Sequence, residues 1–190
     1  MKDLGIIFAE DGTFNTHILT TTAKGKKLAG WILRTIRARD MVTMSTLLKS
    51  LIQPTLEYGC PIWAPNEQHL IKALEEVQKS FTKKIQGLTH LTYKERLNKL
   101  GIYSLERRRD RYLIIHVWKA IMNIVPNLGF RIQSIDLNNG INLRLPNITA
   151  TSKGDHALLK LKERHILYHG VRLFKLLPTK LRNYQETRLQ

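Results

Sequence analysis

Apolar residues recur at helical spacing through much of the chain, and the clearest example begins at Leu70. From Leu70 to Leu88 the apolar positions step by four, three, four, four and three residues. This spacing places them on one face of an amphipathic helix. The sequence therefore predicts an inward-packing stripe with these members: Leu70, Leu74, Val77, Phe81, Ile85 and Leu88.

Four further helices are predicted between residues 13 and 126 from similar spacing and from recognisable helix ends. Gly101 suits a C-cap and Ser104 suits an N-cap, which separates two of these helices. The predicted helices run from Thr13 or Asn15 to about Arg39, from Met41 to just before Pro54, from Tyr93 to Leu100, and from Ser104 to about Val125.

Other segments lack this periodicity. Leu4 to Phe8 form a short apolar run typical of a strand, followed by a turn that ends at Gly12, but no second strand is evident nearby. A strand without a partner leaves backbone groups unsatisfied, so this start is interpreted as a cut edge. Residues 127–156 are rich in Asn and Gly and are interpreted as loop or short strands.

These patterns predict a mainly α fold. It consists of a helical bundle of about five helices, a short vestigial N-terminal β-strand and an irregular C-terminal extension. The predicted domains are residues 1–12, a remnant strand and turn; 13–126, the helical bundle; 127–156, an irregular linker; and 157–190, a C-terminal helix and tail.

Charge changes this picture more than any other property of the composition. The chain has 31 Lys and Arg against 15 Asp and Glu, a formal net charge of +16, and the surplus is spread over the foldable segments. Such a surplus repels itself in a compact state unless an anionic partner neutralises it. Nucleic acid is the commonest such partner, although a ribosomal or a membrane-surface protein would show the same surplus. The longest apolar run, Tyr112–Val125, is too short and too polar to cross a bilayer, and we expect no membrane partner.

Three groups of basic residues are the candidate binding sites. Each group lies on a predicted helix. The arginine group lies at the start of its helix, where cations oppose the helix dipole, so an external partner would help to account for it. Helix-borne Lys and Arg suit contacts with backbone phosphates, and an aromatic ring suits stacking, whereas a merely solvated face is the alternative. The proposed contacts are Lys24, Lys27, Trp31 and Arg34 on the first helix, Lys72, Lys79 and Lys83 on the third, and Arg107, Arg108, Arg109 and Arg111 at the start of the long one.

The sequence offers no arrangement typical of catalysis or metal binding. The adjacent carboxylates at residues 10–11 suit a turn, and Glu75 and Glu76 suit pairing with lysines on the same helix. His165 and His169 are four residues apart, as two metal ligands would be, but no third ligand lies nearby. We therefore expect no catalytic residue, no metal site and no cofactor.

The use of cysteine bears on the compartment. Cys60 is the only cysteine, and its apolar surroundings favour a buried structural thiol over a nucleophile. The first residues carry acids where a secretion signal needs an apolar stretch. We expect an intracellular protein, in the nucleus or the cytoplasm.

Several segments together resemble the region that follows the catalytic palm in reverse transcriptases of non-LTR retrotransposons, especially jockey-like LINE elements. The most specific match is Leu48–Trp63, with its Pro, Leu-Glu-Tyr and Pro-x-Trp in the order typical of that family. Leu74–Ile85 and Tyr93–Arg109 are further close matches, and Lys2–Phe8 is similar to the strand near the primer grip. His169–Pro178 is similar to the closing block, with Lys where the family has Asn.

The resemblance implies the thumb and connector of an RNA-directed DNA polymerase. In that family the thumb grips the template–primer duplex, and the palm carries the paired catalytic aspartates. We therefore expect the palm to lie upstream of residue 1, residues 1–12 to be a remnant palm strand, and this chain to be no enzyme on its own. The implied partner is RNA or an RNA–DNA duplex, bound through its phosphates, and a separate polymerase palm chain stays open as another.

Two alternatives to nucleic-acid binding stay open. In one, the chain is a protein-interaction module that docks an apolar face on a partner chain. In the other, it is a transposon remnant without a selected function.

Overall fold

A computed structural model describes residues 1–10, 12–65, 67–122, 124–125, 131–136, 140–144, 166–178 and 181. By internal packing the chain divides into two compact units, Met1–Arg109 and Asp110–Gln190. This division falls inside a helix, whereas the sequence prediction placed boundaries after residues 12, 126 and 156.

The first unit is mainly helical, as predicted. A two-stranded hairpin, β1 and β2, precedes the helices, and the last helix begins in this unit and continues into the second. The elements are β1 Lys2–Asp3, β2 Ile6–Ile7, α1 Asn15–Thr35, α2 Met41–Leu47, a π-helical segment Leu48–Ile52, α3 Gln53–Glu57, α4 Cys60–Trp63, α5 Gln68–Thr82, α6 Tyr93–Leu100 and α7 Leu105–Ile121.

The core of the first unit lies between α1, α3 and α5. Gly25 allows α1 to approach closely, because a Cβ there would lie 2.5 Å from Leu56 Cδ2 and 3.4 Å from Val77 Cγ1. The apolar stripe predicted on α5 is confirmed, since its six members are all buried: Leu70, Leu74, Val77, Phe81, Ile85 and Leu88.

The helix that begins at Met41 does not stop before Pro54, so this prediction was wrong. The backbone stays helical to Glu57, with the π-helical segment just before the proline. Proline lacks an N–H and its ring crowds the preceding turn, and a wider π turn is one way to relieve this within a helix. The N–H of Gln53 accordingly donates to the carbonyl oxygen of Leu48, five residues back.

The N-terminal segment is a hairpin rather than a single strand. Lys2 pairs with Ile7 and Asp3 with Ile6 in antiparallel register. The two-residue turn has positive φ at both positions, 44° at Leu4 and 85° at Gly5, as the mirror-image turns of tight hairpins require. The predicted strand is present as β2. The expectation that it has no partner was wrong, because β1 is only two residues long and too short to show any periodicity.

Two capping structures hold α6 and the start of α7. Thr92 and Glu95 form a reciprocal capping box at the first end of α6. Gly101, with φ of 60°, ends that helix, and the N–H of Ile102 donates to the carbonyl oxygen of Leu97 at 3.0 Å. Ser104 Oγ then accepts from the N–H of Arg107 at 3.3 Å. Both predicted caps, at Gly101 and Ser104, are therefore confirmed.

The second unit contains the rest of α7, an antiparallel pair of strands and a further helix. The strands are β3 Arg131–Asp136 and β4 Gly140–Arg144, and they lie inside the segment predicted as an irregular linker. The helix α8 spans Ile166–Lys175, within the predicted residues 157–177. Residues 157–165 of that prediction lie outside the described residues.

A small core joins α7 and α8 within the second unit. Gly170 brings them close, because a Cβ there would lie 2.9 Å from Val117 Cγ2. The buried members of this core are Val117, Ala120, Ile121, Val171 and Phe174. Of the helices in the described part of the chain, none has the length and apolarity needed to cross a membrane.

Candidate nucleic-acid interface

The basic residues predicted on α1 all face solvent. Lys24, Lys27 and Arg34 are exposed, and Trp31 exposes 51% of its surface. They do so because the side of α1 that carries Gly25 packs against the core. The structure thus brings three cations and an indole ring together on the outer side of one helix.

The predicted lysines of α5 are also exposed. Lys72 and Lys79 lie on the side away from the buried stripe, and Lys83 follows the last turn. Lys79 Nζ lies 3.7 Å from Glu76 Oε2, with both side chains 53% exposed. A surface ion pair of this kind contributes little to stability, so it does not prevent Lys79 from meeting a phosphate.

The three consecutive arginines at the start of α7, residues 107 to 109, do not form one surface. Arg107 is exposed, and its guanidinium lies 4.8 Å from the centre of the Tyr103 ring. Arg108 instead makes a bidentate contact with Glu57, with Nε at 2.6 Å and Nη2 at 2.9 Å. Arg111 is exposed in the second unit. Successive residues of a helix point about 100° apart, so adjacent arginines cannot share a face.

Arg109 lies inside the first unit and exposes only 3% of its surface. Burial lowers the pKa of its guanidinium, and the charge of Glu75 opposes that shift. Among the described residues, no hydrogen-bond partner is in reach of its Nη1 and Nη2. A phosphate in solvent cannot reach this group, so Arg109 is not a candidate phosphate contact.

Cys60 is buried beside the same arginines. Burial, reinforced by the charge of Glu57, raises the pKa of its thiol to about 12. The thiol is protonated at neutral pH and lacks the thiolate that a nucleophile needs. The interpretation of Cys60 as a buried thiol is confirmed.

Several carboxylates of the first unit are engaged at helix starts. Glu75 accepts from the N–H groups of Leu105 at 3.2 Å and Glu106 at 3.3 Å, where α7 begins. Asp40 accepts from the N–H of Thr43 at 2.8 Å, which lowers the pKa of its carboxyl group. The positive end of a helix offsets these negative charges. Glu75 and Asp40 are thus held by helix N–H groups, whereas the basic residues of α1 and α5 are exposed.

The described residues contain no cluster of three or more His, Cys, Asp or Glu side chains that could hold a metal ion. His169 Nε2 lies 3.4 Å from Asp110 Oδ1 within the second unit. His165, its predicted neighbour on the same helix, lies outside the described residues.

Sequence reasoning missed Tyr103. Its ring is 46% exposed and carries the Arg107 guanidinium, but it stands at a position that the family resemblance leaves variable. An aromatic residue four positions before an arginine at a helix start is the signal that could have identified it.

Comparison with known proteins gives one relative. The chain is 25% identical over 128 residues to the uncharacterized protein B0403.1 of Caenorhabditis elegans, a match that covers 66% of this chain. The match spans 63% of the length of that relative. No family model matches the chain, and no solved structure matches it.

Proposed function

We propose that this chain binds the phosphate backbone of RNA or of an RNA–DNA duplex without reading base sequence. The observation that carries the proposal is the exposure of the basic residues on α1 and α5. In the same unit Glu75 and Asp40 are engaged at helix starts. The proposed contacts are Lys24, Lys27, Trp31, Arg34, Lys72, Lys79, Lys83, Arg107 and Arg111.

The proposed origin of the chain is the thumb and connector region of a non-LTR retrotransposon reverse transcriptase. The mainly helical first unit agrees with the thumb-like bundle that the resemblance implies. In this proposal the chain performs no nucleotide transfer by itself, needs no cofactor and acts inside the cell, in the nucleus or the cytoplasm.

The proposal is tested by a salt titration of fluorescence anisotropy with a labelled RNA–DNA hybrid duplex. Each phosphate contact releases condensed counterions, so log affinity should fall linearly with log salt by about 0.7–0.9 per contact. Several contacts predict a slope steeper than about −3. A duplex of scrambled sequence should give the same line, because phosphates carry no base information. A slope near zero, or no detectable binding at ~0.15 M salt, contradicts the proposal.

A second candidate function is docking on a protein chain, such as a separate polymerase palm. It is favoured by an apolar patch at the hairpin, where Leu4 is 81%, Tyr58 61% and Ile62 55% exposed. The Tyr58 hydroxyl donates to the carbonyl oxygen of Leu4 at 3.1 Å, which ties the Tyr58 side chain to the backbone of the hairpin turn. This alternative predicts little affinity for the duplex in the same titration.

A further inference from the structure

An open groove of about 490 Å³ lies where α6 ends and α7 begins. The Gly101 turn and the Ser104 cap set its shape, since they reverse the chain between the two helices. Its volume falls within the range of small-ligand sites. The main lining residues are Lys94, Leu97, Asn98, Ile102, Tyr103 and Arg107.

The side chains of the groove combine an apolar floor, an aromatic wall and a cationic rim. Ile102 is buried and Leu97 is half-buried, so they form the floor. Tyr103 presents an exposed ring, with the guanidinium of Arg107 above it at 4.8 Å. Lys94 is exposed, and none of the described residues that line the groove is acidic.

The backbone beneath the Tyr103 ring is fixed from inside the unit. Its carbonyl oxygen accepts from Gln78 Nε2 at 3.1 Å, and Gln78 itself is fully buried. The main chain that carries the ring is therefore already fixed, and the Tyr103 side chain loses little conformational freedom when a flat ligand stacks on it.

We propose that this groove takes an unpaired nucleobase at a single-stranded end of the bound nucleic acid. Tyr103 stacks on the base, and Lys94 and Arg107 contact the adjoining phosphates. A base stacked on an aromatic side chain contributes about 1–3 kcal/mol, and every base has a face that can stack. This inference rests on the proposed function, because the duplex brings the tail to the groove.

The test compares a blunt RNA–DNA hybrid duplex with the same duplex carrying a short uridine tail. We expect the full-length chain to bind the tailed duplex about 5- to 100-fold more tightly. The variant Tyr103→Leu should lose this difference and keep its affinity and salt slope for the blunt duplex. Tyr103→Phe should retain the difference because it keeps the ring, and Tyr58→Leu removes an exposed tyrosine outside the groove as the matched control.

A tail with 2-aminopurine in place of one uridine reports stacking directly. Its fluorescence should fall on binding to the wild type and to Tyr103→Phe, and stay unchanged with Tyr103→Leu. Equal affinity of the wild type for the two duplexes overturns the groove assignment while leaving the proposed function intact. An unaltered tail preference in Tyr103→Leu overturns it as well. Failure to bind either duplex overturns both proposals.

Discussion

Gln78 lies at the centre of a chain of buried and partly buried hydrogen bonds that joins several helices of the first unit. Its Oε1 accepts from Gln53 Nε2 at 3.0 Å, and its Nε2 lies 3.0 Å from the hydroxyl of Tyr93. That hydroxyl donates in turn to Glu75, which caps α7. Buried polar groups of this kind are costly to leave unpaired, so the network fixes how the helices meet.

Some polar residues of the segments behind the resemblance make internal contacts of this kind. Arg96, for example, is 4% exposed and donates to the carbonyl oxygens of Leu91 and Lys79. The candidate phosphate contacts Lys24, Lys27 and Arg34 lie outside the matching segments. A charge count alone could not separate these two roles, because Arg107 and Arg108 look alike in sequence and differ only in which way α7 points them.

Replacing Arg107 or Arg108 by glutamine gives two comparable variants whose stabilities should differ. Arg108→Gln removes the bidentate partner of Glu57, whose side chain is 7% exposed, and should destabilise the chain by about 2–3 kcal/mol. Arg107→Gln removes only an exposed stack on Tyr103, worth about 0.5–1 kcal/mol. Urea unfolding followed by circular dichroism measures both. Equal midpoints for the two variants would mean that the Glu57 contact is not formed.

At the scale of elements, the sequence predicted best where periodicity and capping agree. The buried face of α5 follows from its amphipathic pattern, and the predicted caps Gly101 and Ser104 mark the end of α6 and the start of α7. Two features escaped prediction for physical reasons. Pro54 was taken as a stop because a π turn leaves no mark in the apolar spacing, and β1 is only two residues long.

The close approach of α1 to α3 and α5 is tested by two glycines of the same helix. A Cβ at Gly25 would lie 2.5 Å from Cδ2 of the fully buried Leu56, so this side chain would have to shift within the core. We expect Gly25→Ala to lose about 1–3 kcal/mol to overpacking. At Gly30 the nearest atom is 3.9 Å away on the Arg34 side chain, so Gly30→Ala should gain about 0.5–1 kcal/mol. Thermal unfolding that shows a gain in both variants would contradict this packing.

At the scale of the whole chain, the net charge of +16 is the property that the proposed function must explain. Some acidic side chains are held inside the first unit: Glu75 and Asp40 accept hydrogen bonds at helix starts, and Glu57 accepts from Arg108. The lysines of α1 and α5, in contrast, are exposed to solvent. A generic basic surface and a specific phosphate interface differ in one respect. In a specific phosphate interface, the loss of duplex affinity depends on which cations are removed, whereas on a generic basic surface it depends only on how many.

Two variants that lose the same number of positive charges distinguish a specific phosphate interface from a generic basic surface. The interface variant replaces three proposed contacts on α1 by glutamine: Lys24, Lys27 and Arg34. The control variant replaces three exposed lysines outside the proposed set by glutamine: Lys2, Lys49 and Lys99. Both keep the buried network, and circular dichroism should show the same folded signal.

The deciding measurement is the salt dependence of duplex affinity for the wild type and these two variants. We expect the interface variant to flatten the slope of log affinity against log salt by about 2–3 units, because three phosphate contacts are lost. The control variant should keep the wild-type slope to within about 1 unit. Equal flattening in the two variants, or none in either, would contradict the assignment of α1 as a nucleic-acid interface.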